Sequence, residues 1–536
     1  MKKQSFIKGS LILIVSAVIA KAAGALFKIP LTNMLGGTGM GYFSCAYGLF
    51  LPIYALTANG LTTAAAKLTA DNCAAGNYRN ARKIYRVSLA LFTAIGLAGT
   101  AAAAILARPF SEKIAACPEA ALSVLMIAPS VLFGCITAVY RGCWEGMRNM
   151  YPTAVSQVIE SVMRLAAGLA LCSYVLNHPD KVMSFFPAGT DIISVAAAAA
   201  VAGITLSTAA GTLFLVILGA DPSEKCIDNT KREDSSGKII KSLFAVMIPV
   251  ALGSIITNLT SLIDLATIIR CLDKALLIRP GSIIHKFGLE SIPKNELSNF
   301  IYGSFSGLAV TVFNLIPSVT NMFGKGILPN IAEAWTRKDI DSVKRLSANV
   351  IGATAFLAVP SGLGISILAA PVLNFLFPSG KMECIVSSES LFYLGFAVIF
   401  LALSFPVFSM LQAIGRADAP VKIMIAGVIV KFLGNILLIP VPEINVAGAA
   451  ISTLLCYVLI FILSLIIYSK AAGIRIKIFS ILLPPVFSGI MCAVTANLVY
   501  NVLPFENLIA LPASIAAGGI VYLIFSTLTG NFKSKA

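Results

Sequence analysis

The stretch 18-VIAKAAGALFKIP-30 lies inside an apolar run that begins near Phe6 and is long enough to cross a bilayer, yet it carries Lys21 and Lys28. A lysine near the middle of a membrane helix costs about 2.5–3.5 kcal/mol on insertion scales. Seven residues separate the two, which is two helical turns, so they share one face with Gly24 between them. Lys28, toward the outer surface, can snorkel to the headgroups or face a cavity, whereas Lys21, near mid-depth, has farther to reach and favours a cavity.

The surroundings decide the class. Hydrophobic residues make up 58% of the 536-residue chain and charged residues only 12%, where soluble domains carry nearer 45–50% and about 25%. Fourteen apolar stretches of span length follow one another, from 7–32, 40–70, 120–140 and 152–176 to 478–500 and 507–529. They predict an all-α polytopic membrane protein. The first stretch lacks a small-residue cleavage site and reads as a retained helix.

Most of the 40 lysines and arginines fall in alternate loops, as expected if the N- and C-termini are both cytoplasmic. The long outer loop 271–298 holds most of the exceptions. Topology therefore accounts for most of the net charge of +16, and no nucleic-acid partner is called for. The 11 cysteines are scattered, with no CxxC pair and no grouping with His178 or His285, so neither a metal centre nor any other cofactor is expected. Walker A, GxGxxG and HExxH patterns are absent, and the chain is not read as an enzyme.

Sliding Met40–Arg86 until Gly41 falls on Gly303 also places Phe43 on Phe305, Ser44 on Ser306, Asn59 on Asn321, Asp71 on Glu333, and Arg82-Lys83 on Lys344-Arg345. A second echo pairs EGMRNMYP before the fifth stretch with QAIGRADAP before the eleventh, and brings Arg164 and Lys431 to similar places beyond a shared proline. These predict two parallel six-helix lobes, 1–219 and 240–468, a cytoplasmic linker at 220–239, and two added helices in 469–536. Repeated halves with proline breaks, at Pro52, Pro129, Pro249, Pro317, Pro360 and Pro406, suit an alternating-access transporter.

Basic residues outnumber acids within the spans. Lys21, Lys28 and Lys67 are candidates for binding an anion, and Asn59, Asn321 and Lys325 are added as substrate-binding candidates. Glu160 stands one turn before Arg164, and an intrahelical ion pair is its ordinary explanation. Asp264 could close on a helix 1 lysine. Asp264, Glu160 and Arg164 are thus candidates for coupling or gating.

The segments KGSLILIVSAVIAKAAGALFKIPLTNMLGGTGMGYF, YRGCWEGMRNMYPTAVSQVIESVMRL and QAIGRADAPVKIMIAGVIVKFLGNILL resemble the stage V sporulation protein B group of polysaccharide-biosynthesis membrane proteins. That group shares the multidrug/oligosaccharidyl-lipid/polysaccharide exporter superfamily with the lipid II flippases. The resemblance implies two lobes forming a V around a cavity, with the last two helices making a groove for a lipid tail. It also implies passage of an undecaprenyl-pyrophosphate-linked saccharide, a peptidoglycan or polysaccharide precursor, to the outer leaflet of the cell membrane, in sporulation or growth. Basic residues of helices 1, 2 and 8 meet the pyrophosphate in related flippases. Lys21 and Lys28 match the helix 1 positions, helix 8 offers Lys325, and Asn33 stands where another basic residue is expected. A multidrug or cation antiporter of the same fold is one alternative, with acids as its key residues. A non-transporting membrane partner that recruits cell-wall synthases through its loops is another.

Overall fold

The computed structural model describes residues 6–55, 60–187, 189–219, 233–504 and 506–529. Every regular element among them is helical. Apolar chains in lipid must satisfy their backbone groups within each segment, and helices do this. Twelve helical stretches are long and apolar enough to cross a membrane. The first of them, Val18–Tyr54, holds two helices merged across a kink. A further helix of 43 residues runs from Ser236 to Ile278. The expected fourteen spans are consistent with this set.

The chain forms two compact units, Met1–Ala266 and Thr267–Ala536. The first contains α1 (Phe6–Tyr54), α2 (Gly60–Ala74), α3 (Tyr78–Lys113), α4 (Ala121–Ile127), α5 (Pro129–Gly146), α6 (Tyr151–Asn177), α7 (Pro179–Met183), α8 (Ile192–Leu218) and the start of α9 (Ser236–Ile278). The kink in α1 is at Gly36, whose φ of 62° and ψ of −169° suit only glycine. Two close helix pairs organise this unit. A Cβ on Gly203 of α8 would lie 2.3 Å from the Gly168 Cα of α6, and Cβ atoms on Gly142 and Gly146 of α5 would lie 2.6 Å from the carbonyls of Thr62 and Ala66 in α2. Small residues let backbones meet where lipid supplies no hydrophobic drive. Ile239, Leu243 and Met247 of α9 are buried with Phe92 and Trp144, so the start of α9 belongs to this core.

The second unit continues from Thr267 through α10 (Pro280–Phe287), α11 (Leu297–Ser304), α12 (Val310–Phe313), α13 (Leu315–Thr336), α14 (Ile340–Ile367), α15 (Ala369–Leu376), α16 (Lys381–Ala413), α17 (Asp418–Leu438), α18 (Ala447–Ala472), α19 (Ile478–Val502) and α20 (Asn507–Leu528). Here α16 is central and packs against α13, α14 and α18. The basic segment read as a loop is largely helical and fastened. Arg279 pairs with Glu443 at 3.2 Å, and Lys286 with Glu389 at 2.8 Å, which matches those charges with acids of the same unit. Of the expected proline breaks, Pro129 and Pro317 stand in the first turn of a new helix, whereas Pro52, Pro360 and Pro406 lie inside continuous ones.

Both units have a matching corner. The α2–α3 turn places Gly76 at φ 72° before the N-cap Asn77, whose side chain accepts from Asn80 N. At the same offset that carries Gly41 onto Gly303, the α13–α14 turn places Lys338 at φ 57° before the N-cap Asp339, which accepts from Ser342 N. The internal repeat is thus a repeat of backbone geometry as well as of letters.

A buried tie in the second unit gives a first test. The Tyr468 hydroxyl and Ser347 Oγ are 2.7 Å apart, and Ser347 also lies 2.7 Å from the Val343 carbonyl. Tyr468→Phe leaves Ser347 that carbonyl, so it lowers stability by only about 1 kcal/mol, read from thermal unfolding in detergent.

Candidate functional site

Helix α1 presents two unlike faces. Ala23, Phe27 and Leu31 are buried, with Phe27 lying over Gly168 of α6, whose Cβ would meet its ring at 2.6 Å. Between Lys21 and Lys28, a Cβ on Gly24 meets nothing within 4 Å. The strip Lys21–Gly24–Lys28 is therefore open along α1, with Lys21 exposed and Lys28 half-buried. Pro30 interrupts the ladder one turn on, and Thr32 and Asn33 donate back to the carbonyls of Lys28 and Ile29 at 2.8 and 3.2 Å. Asn33 thus spends its amide partly on its own helix.

Lys67 is exposed on α2, whose opposite face, with Leu61, Ala65 and Thr69, packs on α5. In the first unit Lys21 and Lys67 are thus exposed and Lys28 is half-buried. Asn59 lies outside the described residues. In the second unit, Asn321 is half-buried on α13, and the side chain of Lys325 on the same helix lies outside the described set. Asp264 is half-buried on α9.

The expected pairing of Glu160 with Arg164 is corrected. Glu160 Oε2 receives Arg141 Nη2 at 2.8 Å, while Arg141 Nε donates to Ser156 Oγ at 2.9 Å and Ser156 donates on to the Thr153 carbonyl at 2.9 Å. Arg141 and Glu160 are each only 8% exposed. Arg164 is half-buried on α6, and its Nε has no hydrogen-bond partner among the described residues. Sequence reasoning missed Arg141 because the apolar stretch ends at 140. Helix α5 runs on to Gly146 and takes the arginine inside. The signal was present in YRGCWEGMRNMYPTAVSQVIE, where Arg141, Ser156 and Glu160 are the members of one hydrogen-bonded set. Gly142 and Gly146 of that segment are the points of approach to α2, and Gly211 of α8 covers the acid, its Cβ position lying 3.0 Å from Glu160 Cγ.

In the second unit, Lys431 of α17 is 4% exposed. One turn on, Asn435 donates to Thr267 Oγ1 at 2.9 Å.

The family of polysaccharide biosynthesis proteins matches residues 6–335. The chain belongs to this family. The lipid II flippase MurJ family matches residues 295–504. Over 537 residues the chain is 27% identical to stage V sporulation protein B of Bacillus subtilis (strain 168), covering 98% of this chain and 95% of that protein. It is 23% identical over 547 residues to lipid II flippase MurJ of the same organism, covering 96% and 94%.

Among solved structures, lipid II flippase MurJ in an inward closed conformation superposes with a TM-score of 0.70 at 13% identity, over 97% of this chain and 98% of that one. An inward-facing multidrug resistance MATE transporter of the MOP superfamily gives 0.64 at 13% identity, over 86% and 99%. These likenesses establish the fold as that of multi-pass membrane transporters. The activity named among these relatives is flipping or transport, not catalysis of a chemical reaction.

Proposed function

We propose that this family member is a flippase that carries a lipid-linked pyrophosphoryl saccharide, a lipid II-like precursor, across the cytoplasmic membrane by alternating access. The open strip of α1 with two lysines at membrane depth carries this reading. A diphosphate needs two or more cations within a few ångströms of its oxygens, and in a low-dielectric setting each such contact is far stronger than in water. Lysine supplies a mobile point charge rather than a rigid fork, which suits a ligand that must be released. Lys67 adds a third charge on α2, and Asn59, Asn321 and Lys325 are proposed contacts for the headgroup.

The N- and C-termini are assigned to the cytoplasm, and α19 and α20, whose outward faces carry Phe479, Leu483, Leu498 and Leu508, are assigned to the polyprenyl tail. The antiporter alternative is weakened by the geometry of the acids. Glu160, which with Asp264 would have to hold the cation, is already held by Arg141. Glu160 is therefore reassigned from gating to bracing of the first unit, and Asp264 stays the proposed gating acid.

Binding is measured by native mass spectrometry of the purified protein with a polyprenyl-pyrophosphoryl saccharide. The Lys21→Gln/Lys28→Gln variant is expected to bind at least about tenfold more weakly than the parent, from the loss of two charged contacts. Equal binding by parent and variant, or no binding by the parent, sinks the assignment. Gly24→Val sets a steric control. It keeps the fold, because its side chain enters open space, and it weakens binding by filling the strip between the lysines.

A further inference from the structure

The first two turns of α3 carry a second cationic site, remote in sequence from the α1 lysines and already filled by an acidic pair of the same chain. Arg79 Nε donates to Glu233 Oε1 at 2.6 Å, and Lys83 Nζ stands 3.4 Å from Glu233 Oε2. Between them, the Asn80 side chain donates to Asp234 Oδ2 at 2.9 Å and accepts from Asp234 N at 3.0 Å, while a further bond to Asn72 Oδ1 at 2.8 Å fixes its amide. Asn80 is 2% exposed. Lys238 closes the far side of Asp234 at 2.6 Å. The Glu233 carboxyl is held below its usual range chiefly by the Arg79 hydrogen bond, and that of Asp234 chiefly by Lys238 and then Asn80.

We propose that Arg79, Asn80 and Lys83 form a binding site for the phosphate of an anionic lipid headgroup, filled in this conformation by the chain's own Glu233–Asp234 pair. Three observations lead there. A guanidinium, an ammonium and a buried amide converge at the positive end of a 36-residue helix, an arrangement that suits phosphate as well as carboxylate. That helix is a membrane-crossing candidate, so its first turn stands at headgroup level, where lipid phosphate is the abundant anion. The present occupant is tethered, and α9, which starts at Ser236, buries Ile239 and Leu243 in the core of this unit. Tethering raises its local concentration without making its bonds strong, because Arg79 is well exposed to water and Glu233 is only half-buried. A phosphate-bearing lipid and the acidic pair therefore compete for the same cations. Lipid capture at α3 and docking of the residues that lead into α9 exclude each other. This inference does not depend on what is transported.

The test uses the full-length protein and native mass spectrometry with phosphatidylglycerol and phosphatidylcholine. Glu233→Gln/Asp234→Asn empties the site and is expected to bind one more phosphatidylglycerol with about three- to tenfold higher apparent affinity than the parent, with no gain for phosphatidylcholine. Adding Arg79→Gln/Lys83→Gln to that variant removes the gain. Should this fourfold variant unfold, Lys83→Gln alone in the emptied background is used. Hydrogen exchange over 78–84 in the emptied variant slows when phosphatidylglycerol is added. The proposal is overturned if emptying the site gives no gain, if the gain survives loss of the cations, or if millimolar inorganic phosphate displaces the extra lipid, which would make the ligand free phosphate.

Discussion

Glu160→Leu lowers the stability of the purified protein by about 3–5 kcal/mol, among the largest effects expected of any single substitution in the first unit. The change leaves the Arg141 guanidinium buried, still bonded to Ser156 through Nε but without the carboxylate that neutralises it. Water cannot take the place of the acid easily, because Gly211 of α8 lies flush over it. Arg141→Met leaves the converse, a buried carboxylate without its cation, and costs a similar amount. The double variant Arg141→Met/Glu160→Leu replaces a desolvated pair by apolar side chains and recovers most of the loss, so the double-mutant cycle shows a coupling of several kcal/mol. Thermal unfolding in detergent at neutral pH measures all three. If Glu160→Leu falls within about 0.5 kcal/mol of the parent, the pair is not a brace, and the acid returns to candidacy for coupling.

Gly203→Val is expected to cost about 3 kcal/mol or more, at the upper end for overpacked sites. The added Cβ would lie 2.3 Å from the Gly168 Cα and 2.5 Å from its nitrogen. These are backbone atoms of α6, so no side chain can turn aside, and α6 must separate from α8. Separation also lifts Gly211 away from Glu160, so this substitution and Glu160→Leu do not add. Gly24→Val is the contrasting case. Nothing stands within 4 Å of its Cβ, and stability stays within about 0.5 kcal/mol of the parent. Equal losses at Gly203 and Gly24 would mean that intrinsic helix propensity, not helix contact, governs both sites.

The fold was legible in the sequence where its cause is local. Apolar runs of span length became membrane helices because a backbone in lipid has few other solutions. At the offset joining Gly41 to Gly303 the structure has matching helix caps at Asn77 and Asp339, since a helix cap depends on a few adjacent residues. The face shared by Lys21, Gly24 and Lys28 followed from helical period alone.

The partner of Glu160 did not follow, and the reason is physical. Spacing of one turn brings Arg164 into reach, but a residue on a neighbouring helix can stand as close, and Arg141 does so because α5 extends six residues beyond the apolar stretch that ends at 140. The docking of Glu233–Asp234 on α3 likewise joins residues 154 positions apart, from a segment that composition marks only as a polar linker. Hydropathy and period determined which segments cross the membrane and which residues share a face. Which charges meet was decided by the tertiary placement of α5 beside α6, which brings Arg141 to Glu160, because a buried ion pair forms only where two helices bring its partners together away from water.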